Sequence, residues 1–328
     1  MAMSAINPQA QAVLDGRREA GMPPLWEQTA QDARAGFAPV KEMIGPGPDV
    51  AKVSDILIPG QAGAIPARVY EPGPDSPAVV VYYHGGGWTV GSVDDWDAMV
   101  RALTVASGYT TVSVDYRLAP EHRFPAATDD AYDAYAWVQS EFADGRPVAV
   151  AGDSAGGNLA AVTAQRALHA SQGFSRGAAG GSSPLRQAEV TLPAFQVLIY
   201  PVTDCDLDRG SYREHDGTEF ILNRRDMAWF WDQYAPDADV RRNPYASPLR
   251  APSLGGLPPA WILTAEHDPL RDEGIEYAEK LSAAGVPVQH RHYGEQIHGF
   301  TTMVNIMDDA DRAVAGAGTA IRAAVAAA

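Results

Sequence analysis

The stretch Pro147-Val148-Ala149-Val150-Ala151-Gly152-Asp153-Ser154-Ala155-Gly156-Gly157-Asn158-Leu159-Ala160 constrains this chain more than any other. A short apolar run enters Gly152-Asp153-Ser154-Ala155-Gly156, and small and apolar residues at helical spacing leave it. That reads as strand, sharp turn, helix, with a serine at the apex, the G-x-S-x-G elbow. A serine in such a turn sits in a strained backbone that lifts its hydroxyl above the sheet, and a side chain on either flanking glycine would clash. The helix that follows aims its free N–H groups and positive dipole end at the same spot. Alone, the pentapeptide is a weak signal in a chain this rich in Gly, Ala and Ser. The strand before it and the helix after it give it weight, and a working elbow also needs an anion pocket, an acid and a base.

Each of these has candidates. The buried-strand pattern Ala78 to Tyr83 empties into His84-Gly85-Gly86-Gly87-Trp88, where three glycines leave backbone N–H groups unshielded, the raw material of an anion pocket. The strand Ala260 to Ala265 ends in Glu266-His267-Asp268-Pro269-Leu270. Here Glu266, Asp268 and Asp272 compete as the acid, and Asp268-Pro269 also suits a helix N-cap with Pro at N1. The last strand, Val286 to Tyr293, leads into the loop Gly294-Glu295-Gln296-Ile297-His298-Gly299-Phe300, so His298 competes with His267, His290 and His292 as the base. His290 and His292 alternate on one strand face, but no further ligand is spaced to join them in holding a metal. His84 reads as a brace for the glycine loop.

Around these motifs the pattern is α/β. Lys52 to Ile58 and Ala67 to Tyr70 read as antiparallel strands joined by the turn-rich Pro59 to Pro66. Helical stretches at Asp94 to Ser107, Phe124 to Phe142 and 155 to about 169 alternate with strands at Thr110 to Asp115, Val148 to Ala151 and Phe195 to Tyr200. Such alternation predicts about eight mostly parallel strands with helices on both faces. Two helical segments interrupt it. Residues 1–48, closed by Gly45-Pro46-Gly47-Pro48, and residues 204–248, dense in aromatics from Phe220 to Tyr234, are expected to form a cap over a core of 49–203 and 249–328. Met22, Leu25, Trp26 and Phe37 either line a ligand pocket or dock the first segment, and docking is the better reading. The low-complexity run from Ser171 to Pro184 reads as a mobile surface loop.

Composition narrows the partners. A net charge of −16 argues against nucleic acid and anionic membranes. Cys205 is the single cysteine, so no intrachain disulfide forms, and neither a signal peptide nor a membrane-spanning run is visible. A cytoplasmic location is expected.

Five motifs together, His84 to Trp88, Asp115-Tyr116-Arg117-Leu118-Ala119-Pro120-Glu121, Gly152 to Asn158, Asp268-Pro269-Leu270-Arg271-Asp272-Glu273-Gly274 and His298-Gly299-Phe300, resemble the bacterial hormone-sensitive-lipase family of carboxylesterases. These are α/β-hydrolases, and Asp153 resembles the subgroup with Asp before the serine. The similarity spans roughly residues 45 to 325. It implies Ser154 as nucleophile, Asp268 as acid and His298 as base, with an oxyanion hole from the amides of Gly86, Gly87 and Ala155. The order Ser, Asp, His independently suits this fold, and Asp268 and His298 each follow a strand's C-terminal end, where open α/β sheets place ligands. Trp88, Phe220 and Leu222 are the expected substrate contacts. Three features depart from the family: His267 stands where an aromatic residue often precedes the Asp, Glu295-Gln296 replaces a frequent Gly-Met pair, and the Gly/Ser-rich run looks inserted. The expectation is a carboxylesterase for short- to medium-chain esters, without metal or cofactor, dimerising through its last strand. Amide, carbamate or polyester hydrolysis is the alternative. A non-catalytic receptor, as in the related plant gibberellin receptors that lack the histidine, is disfavoured by His298.

Overall fold

This computed structural model describes residues 5–173, 190–217 and 220–327. Among them the apolar runs form one eight-stranded sheet: β1 (Lys52–Gly60), β2 (Gly63–Glu71), β3 (Val79–Tyr83), β4 (Thr110–Val114), β5 (Val148–Asp153), β6 (Gln196–Ile199), β7 (Ala260–His267) and β8 (Val288–Ile297). Their spatial order is β1-β2-β4-β3-β5-β6-β7-β8. β2 pairs antiparallel with both β1 and β4, and every later pair is parallel. Alternate side chains of the parallel strands feed two cores, which is why these strands read as continuous apolar runs. Val79, Val81 and Tyr83 belong to one core, and Val80 and Tyr82 to the other.

Helices α1 (Pro8–Glu19), α2 (Ala30–Ala35) and α3 (Phe37–Ile44) precede the sheet. α4 (Asp97–Ser107), α5 (Ala126–Trp137) and α6 (Ala155–Ser171) alternate with strands. α7 (Gly210–Glu214), α8 (Arg224–Tyr234) and α9 (Ala238–Arg241) lie between β6 and β7, with α10 (Arg271–Ala283) and α11 (Asp308–Ala327) completing the chain. Ala131 of α5, Leu159 of α6 and Leu281 of α10 pack into the first core, while Val100 of α4 and Ile321 of α11 pack into the second. The two interrupting segments touch each other. Arg17 of α1 donates to the Ile221 carbonyl at 3.3 Å, and the Arg225 guanidinium lies over the Trp26 ring. α8 opens with a capping box, in which Asn223 and Asp226 satisfy each other's backbone N–H groups.

Two elements differ from the sequence reading. The turn-rich Pro59 to Pro66 is largely strand: β1 and β2 form a hairpin that closes between Gly60 and Gly63. β1 is an edge, where a proline's missing donor leaves no ladder bond unmade. β8 also runs on to Ile297, through residues read as loop, because a register irregularity opposite Ala265 and His267 absorbs the extra residues. Its consequence is positional. His267 pairs with Ile297, so residue 298 emerges beside residue 268. Residues 174–189, most of the Gly/Ser-rich run, lie outside the described residues.

Candidate active site

Ser154 sits between β5 and α6 with φ +54° and ψ −119°, a backbone that L-residues rarely adopt. It is held there from both sides: its N–H donates to the Ile199 carbonyl at 2.8 Å, and its own carbonyl accepts from Asn158 N–H at 3.0 Å. Gly156 is required by close approach, since a Cβ there would lie 1.9 Å from the Tyr83 carbonyl oxygen. His298 and Asp268 leave the C-terminal ends of β8 and β7 on the same edge of the sheet. Ser154 Oγ lies 3.1 Å from His298 Nε2, and His298 Nδ1 lies 2.7 Å from Asp268 Oδ2. Asp268 is fully buried, and its second oxygen accepts from Leu270 N–H at 2.8 Å. The ring of Tyr200, at the end of β6, packs 4.6 Å from that of His298.

The glycine loop after β3 lies beside this chain of three. Gly86, Gly87 and Trp88 have φ of +102°, +55° and +56° in succession. Among the described residues nothing accepts from the amides of Gly86, Gly87 or Ala155. At Ala155 that is the expected orphan of a helix start. A Cβ on Gly87 would fall 2.1 Å from Cδ1 of Phe230, so α8 packs directly onto this loop. His84 is stacked on Tyr116 with ring centroids 4.4 Å apart, its Nδ1–H donating to the Gly85 carbonyl. Burial pushes its pKa down to about 4, so the ring is neutral near pH 7. The loop Asp115 to Glu121 also serves this region, because Tyr116 OH donates to the His84 carbonyl at 2.8 Å. Burial pushes the Asp153 carboxyl up to about 6, against hydrogen bonds from Tyr82 and Trp96 that favour its charged form.

The rival candidates are engaged elsewhere. Glu266 pairs with Arg271 at 3.1 Å and His292 at 3.0 Å, and Asp272 accepts from Ser211 N–H at 2.8 Å. His290 and His292 share the Thr264 hydroxyl, at 2.8 and 3.0 Å. His267 does an aromatic residue's work: its ring stacks on Phe220 and meets His215 edge-on. Gln296 points to α11, donating to Asp309 at 2.8 Å, and the Glu295 carbonyl accepts from Asn7 N–H. Of the expected substrate contacts, Trp88 is fully buried and stacked on Tyr234 at 4.1 Å, Phe220 packs against His267, and Leu222 lies in the first core. Phe230, which packs against Gly87, lies in the aromatic-dense stretch from Phe220 to Tyr234, and spacing along α8 alone does not separate it from its neighbours.

A doubly covered parallel sheet with an elbow after a central strand defines the α/β-hydrolase class. A family model described as the alpha/beta hydrolase fold matches residues 80–302. The chain is 44% identical over 270 residues to carboxylic ester hydrolase LipN of Mycobacterium tuberculosis, spanning 80% of this chain and 68% of that protein. It is 35% identical to an ethyl acetate hydrolase of Pseudomonas putida across 94% of this chain and 95% of that one. A solved hyperthermophilic esterase of the archaeon Pyrobaculum calidifontis superposes with a TM-score of 0.85 at 39% identity, covering 98% of this chain and 100% of that one. The chain belongs to the hormone-sensitive-lipase-like family of α/β-hydrolases.

Proposed function

We propose that the chain is a serine carboxylesterase acting on short- to medium-chain acyl esters, with Ser154 as nucleophile, His298 as base and Asp268 as the acid. The observation that carries the reading is the continuous contact from Ser154 Oγ to His298 Nε2 and from His298 Nδ1 to Asp268, beside three unengaged amides. The Ser154 oxygen attacks the ester carbonyl carbon while its proton passes to His298 Nε2. The carbonyl electron pair moves onto oxygen, where the amides of Gly86, Gly87 and Ala155 hold it, each contributing on the order of 3 kcal/mol. Collapse re-forms the C=O bond and breaks the ester C–O bond, and the leaving alcohol takes the proton from Nε2. Water then attacks the acyl-serine, gives a proton to His298, and collapse returns that proton to Ser154 with release of the carboxylic acid. Asp268 fixes the Nδ1–H tautomer and stabilises the imidazolium. These steps need neither metal nor cofactor.

Phe220, Leu222 and Phe230 are assigned to the wall that selects the acyl or alcohol group, with the fully buried Trp88 packed behind it rather than in contact with substrate. Residues 1–48 and 204–248 are assigned to the cap, supported by the contacts of Arg17 and Arg225 between them. β8 is an edge of the sheet and is assigned to a homodimer contact. A cytoplasmic location is consistent with the single cysteine, and no helix among the described residues is long and apolar enough to cross a membrane. The test is hydrolysis of p-nitrophenyl esters of increasing chain length by wild type and by Ser154→Ala, expected to lose about 10⁶ in kcat. Survival of turnover in Ser154→Ala would sink the mechanism.

A further inference from the structure

The steps above leave Asp153 unused, although it is peptide-bonded to the nucleophile. It is a buried carboxylate, 2% exposed, and its Oδ1 collects three hydrogen bonds from three different segments. Tyr82 OH donates from the end of β3 at 2.7 Å, Gly85 N–H from the glycine loop at 2.9 Å, and Trp96 Nε1–H from the approach to α4 at 2.9 Å. The fit at Gly85 is tight, since a Cβ there would lie 2.4 Å from Asp153 Oδ2. Gly85 immediately precedes the two glycine amides assigned to the oxyanion. One carboxylate oxygen therefore references the start of that loop to the residue adjoining Ser154.

Trp96 extends the connection outward. Its ring lies 5.3 Å from His84 on one side and stacks on Phe37 of α3 at 5.7 Å on the other. A contiguous series thus runs from the N-terminal helices through Phe37, Trp96 and Asp153 to Gly85.

We propose that Asp153 and Trp96 are positioning residues that set the oxyanion loop against Ser154, and that Trp96 couples this geometry to docking of the N-terminal helices through Phe37. The proposal rests on the ester-hydrolase reading. Oxyanion donors act only when they are already aimed at the place where charge develops. Loosening the anchor therefore weakens binding of the tetrahedral species and leaves binding of the ground-state ester nearly unchanged. A residue that serves stability alone lowers Tm without that selective effect.

The experiment measures kcat and KM on p-nitrophenyl butyrate, Ki for a trifluoromethyl ketone that adds to serine as a tetrahedral alkoxide, and Tm. Asp153→Ala is expected to lower kcat by about 10²-fold, to weaken the ketone by a similar factor, and to leave KM within about threefold. Asp153→Asn keeps an acceptor oxygen at the Oδ1 position and is expected to recover kcat to within about tenfold of wild type. Trp96→Phe keeps an aromatic ring but drops the pyrrole ring with its N–H donor, and is expected to cost about fivefold in kcat and in ketone affinity together. Phe37→Ala should lower both in the same direction, less than additively with Trp96→Phe. Wild-type ketone affinity in Asp153→Ala, or a loss confined to Tm, overturns the proposal. If Asp153→Ala does not fold, Trp96→Phe decides alone, and unchanged ketone affinity in it overturns the proposal. Wild type without turnover overturns the hydrolase reading and this proposal together, whereas wild-type turnover with unaffected variants overturns this proposal only.

Discussion

Replacing Asp268 by Asn, with Glu266→Gln as its control, tests the acid by a route specific to this geometry. Asp268 is fully buried and faces two donors, Leu270 N–H on Oδ1 at 2.8 Å and His298 Nδ1–H on Oδ2 at 2.7 Å. An Asn in its place has one acceptor and one donor. The Leu270 N–H cannot change sign, so it claims the amide oxygen and leaves the NH2 group facing His298. His298 must then present a lone pair at Nδ1 and carry its proton on Nε2, pointing at Ser154 Oγ. In that tautomer it cannot accept the serine proton. The loss expected from a wrong-tautomer triad is about 10⁴ in kcat, or about 5 kcal/mol of transition-state stabilisation. Glu266→Gln removes only contacts to Arg271 and His292 and is expected to stay within about twofold. Steady-state kinetics on p-nitrophenyl butyrate at pH 8 reads both. A loss below about tenfold in Asp268→Asn, or a larger loss in Glu266→Gln, refutes the assignment.

Three further outcomes follow from the same structure. Gly87→Ala places a Cβ 2.1 Å from Phe230 at a φ of +55°, which combines overpacking with left-handed strain at about 1–3 kcal/mol each; kcat should fall at least tenfold and recover in part in Gly87→Ala/Phe230→Ala, and unchanged kcat in the single variant counts against Gly87 as an oxyanion donor. Arg34 donates to the carbonyls of Thr89 and Ala119 and forms a two-pronged pair with Glu121; Arg34→Lys should fail to restore what Arg34→Ala loses, about 2 kcal/mol by denaturant melts, because an ammonium lacks the planar fork. His84 has a folded pKa of about 4, below its unfolded value, so its contribution is present above pH 6.5 and is lost as pH falls towards 4; wild type should shed about 3 kcal/mol more than His84→Gln across that window, and parallel stability curves refute it.

What the sequence made legible was whatever depends on residue type at short range. The elbow, the three-glycine loop and the two strand ends each announce themselves within a dozen residues, because the backbone conformations involved tolerate few side chains. The parallel sheet was legible because strands covered on both faces lose the polar alternation of exposed ones. What it hid was long-range partnership. Asp153 and Trp96 are 57 positions apart, and no spacing rule joins a carboxylate to an indole across two helices and two strands. The extension of β8 was hidden for another reason: Gly294, Glu295 and Gln296 have turn-like composition, and only the irregular pairing with β7 keeps them in the sheet. Glu266 and Asp268 were inseparable by composition, and the structure parts them by direction. One faces Arg271 and His292, the other His298.

These partnerships explain how a loop rich in glycine is held in one shape, as the proposed anion pocket requires. Trp88 at φ +56° is a bulky residue in a conformation that costs on the order of 1–2 kcal/mol, and it follows two glycines that also have positive φ. Left alone, such a segment would relax, and its amides would no longer converge. It is held instead through several of its other backbone groups. Asp153 takes the Gly85 N–H, Tyr116 supports the His84 carbonyl, Ala119 N–H donates to the Trp88 carbonyl at 2.8 Å, and Arg34 takes the Thr89 carbonyl at 2.8 Å. Tyr234 stacks on the Trp88 ring from the end of α8, adding about 1 kcal/mol beyond the area it buries. The motif from Asp115 to Glu121, which carries no reacting group, thus braces the glycine loop through the carbonyls it reaches. Two of those braces, Arg34 and Tyr234, come from the segments assigned to the cap. If these segments select the ester as proposed, they also help hold the proposed oxyanion amides, and substitutions in them are expected to alter kcat as well as KM.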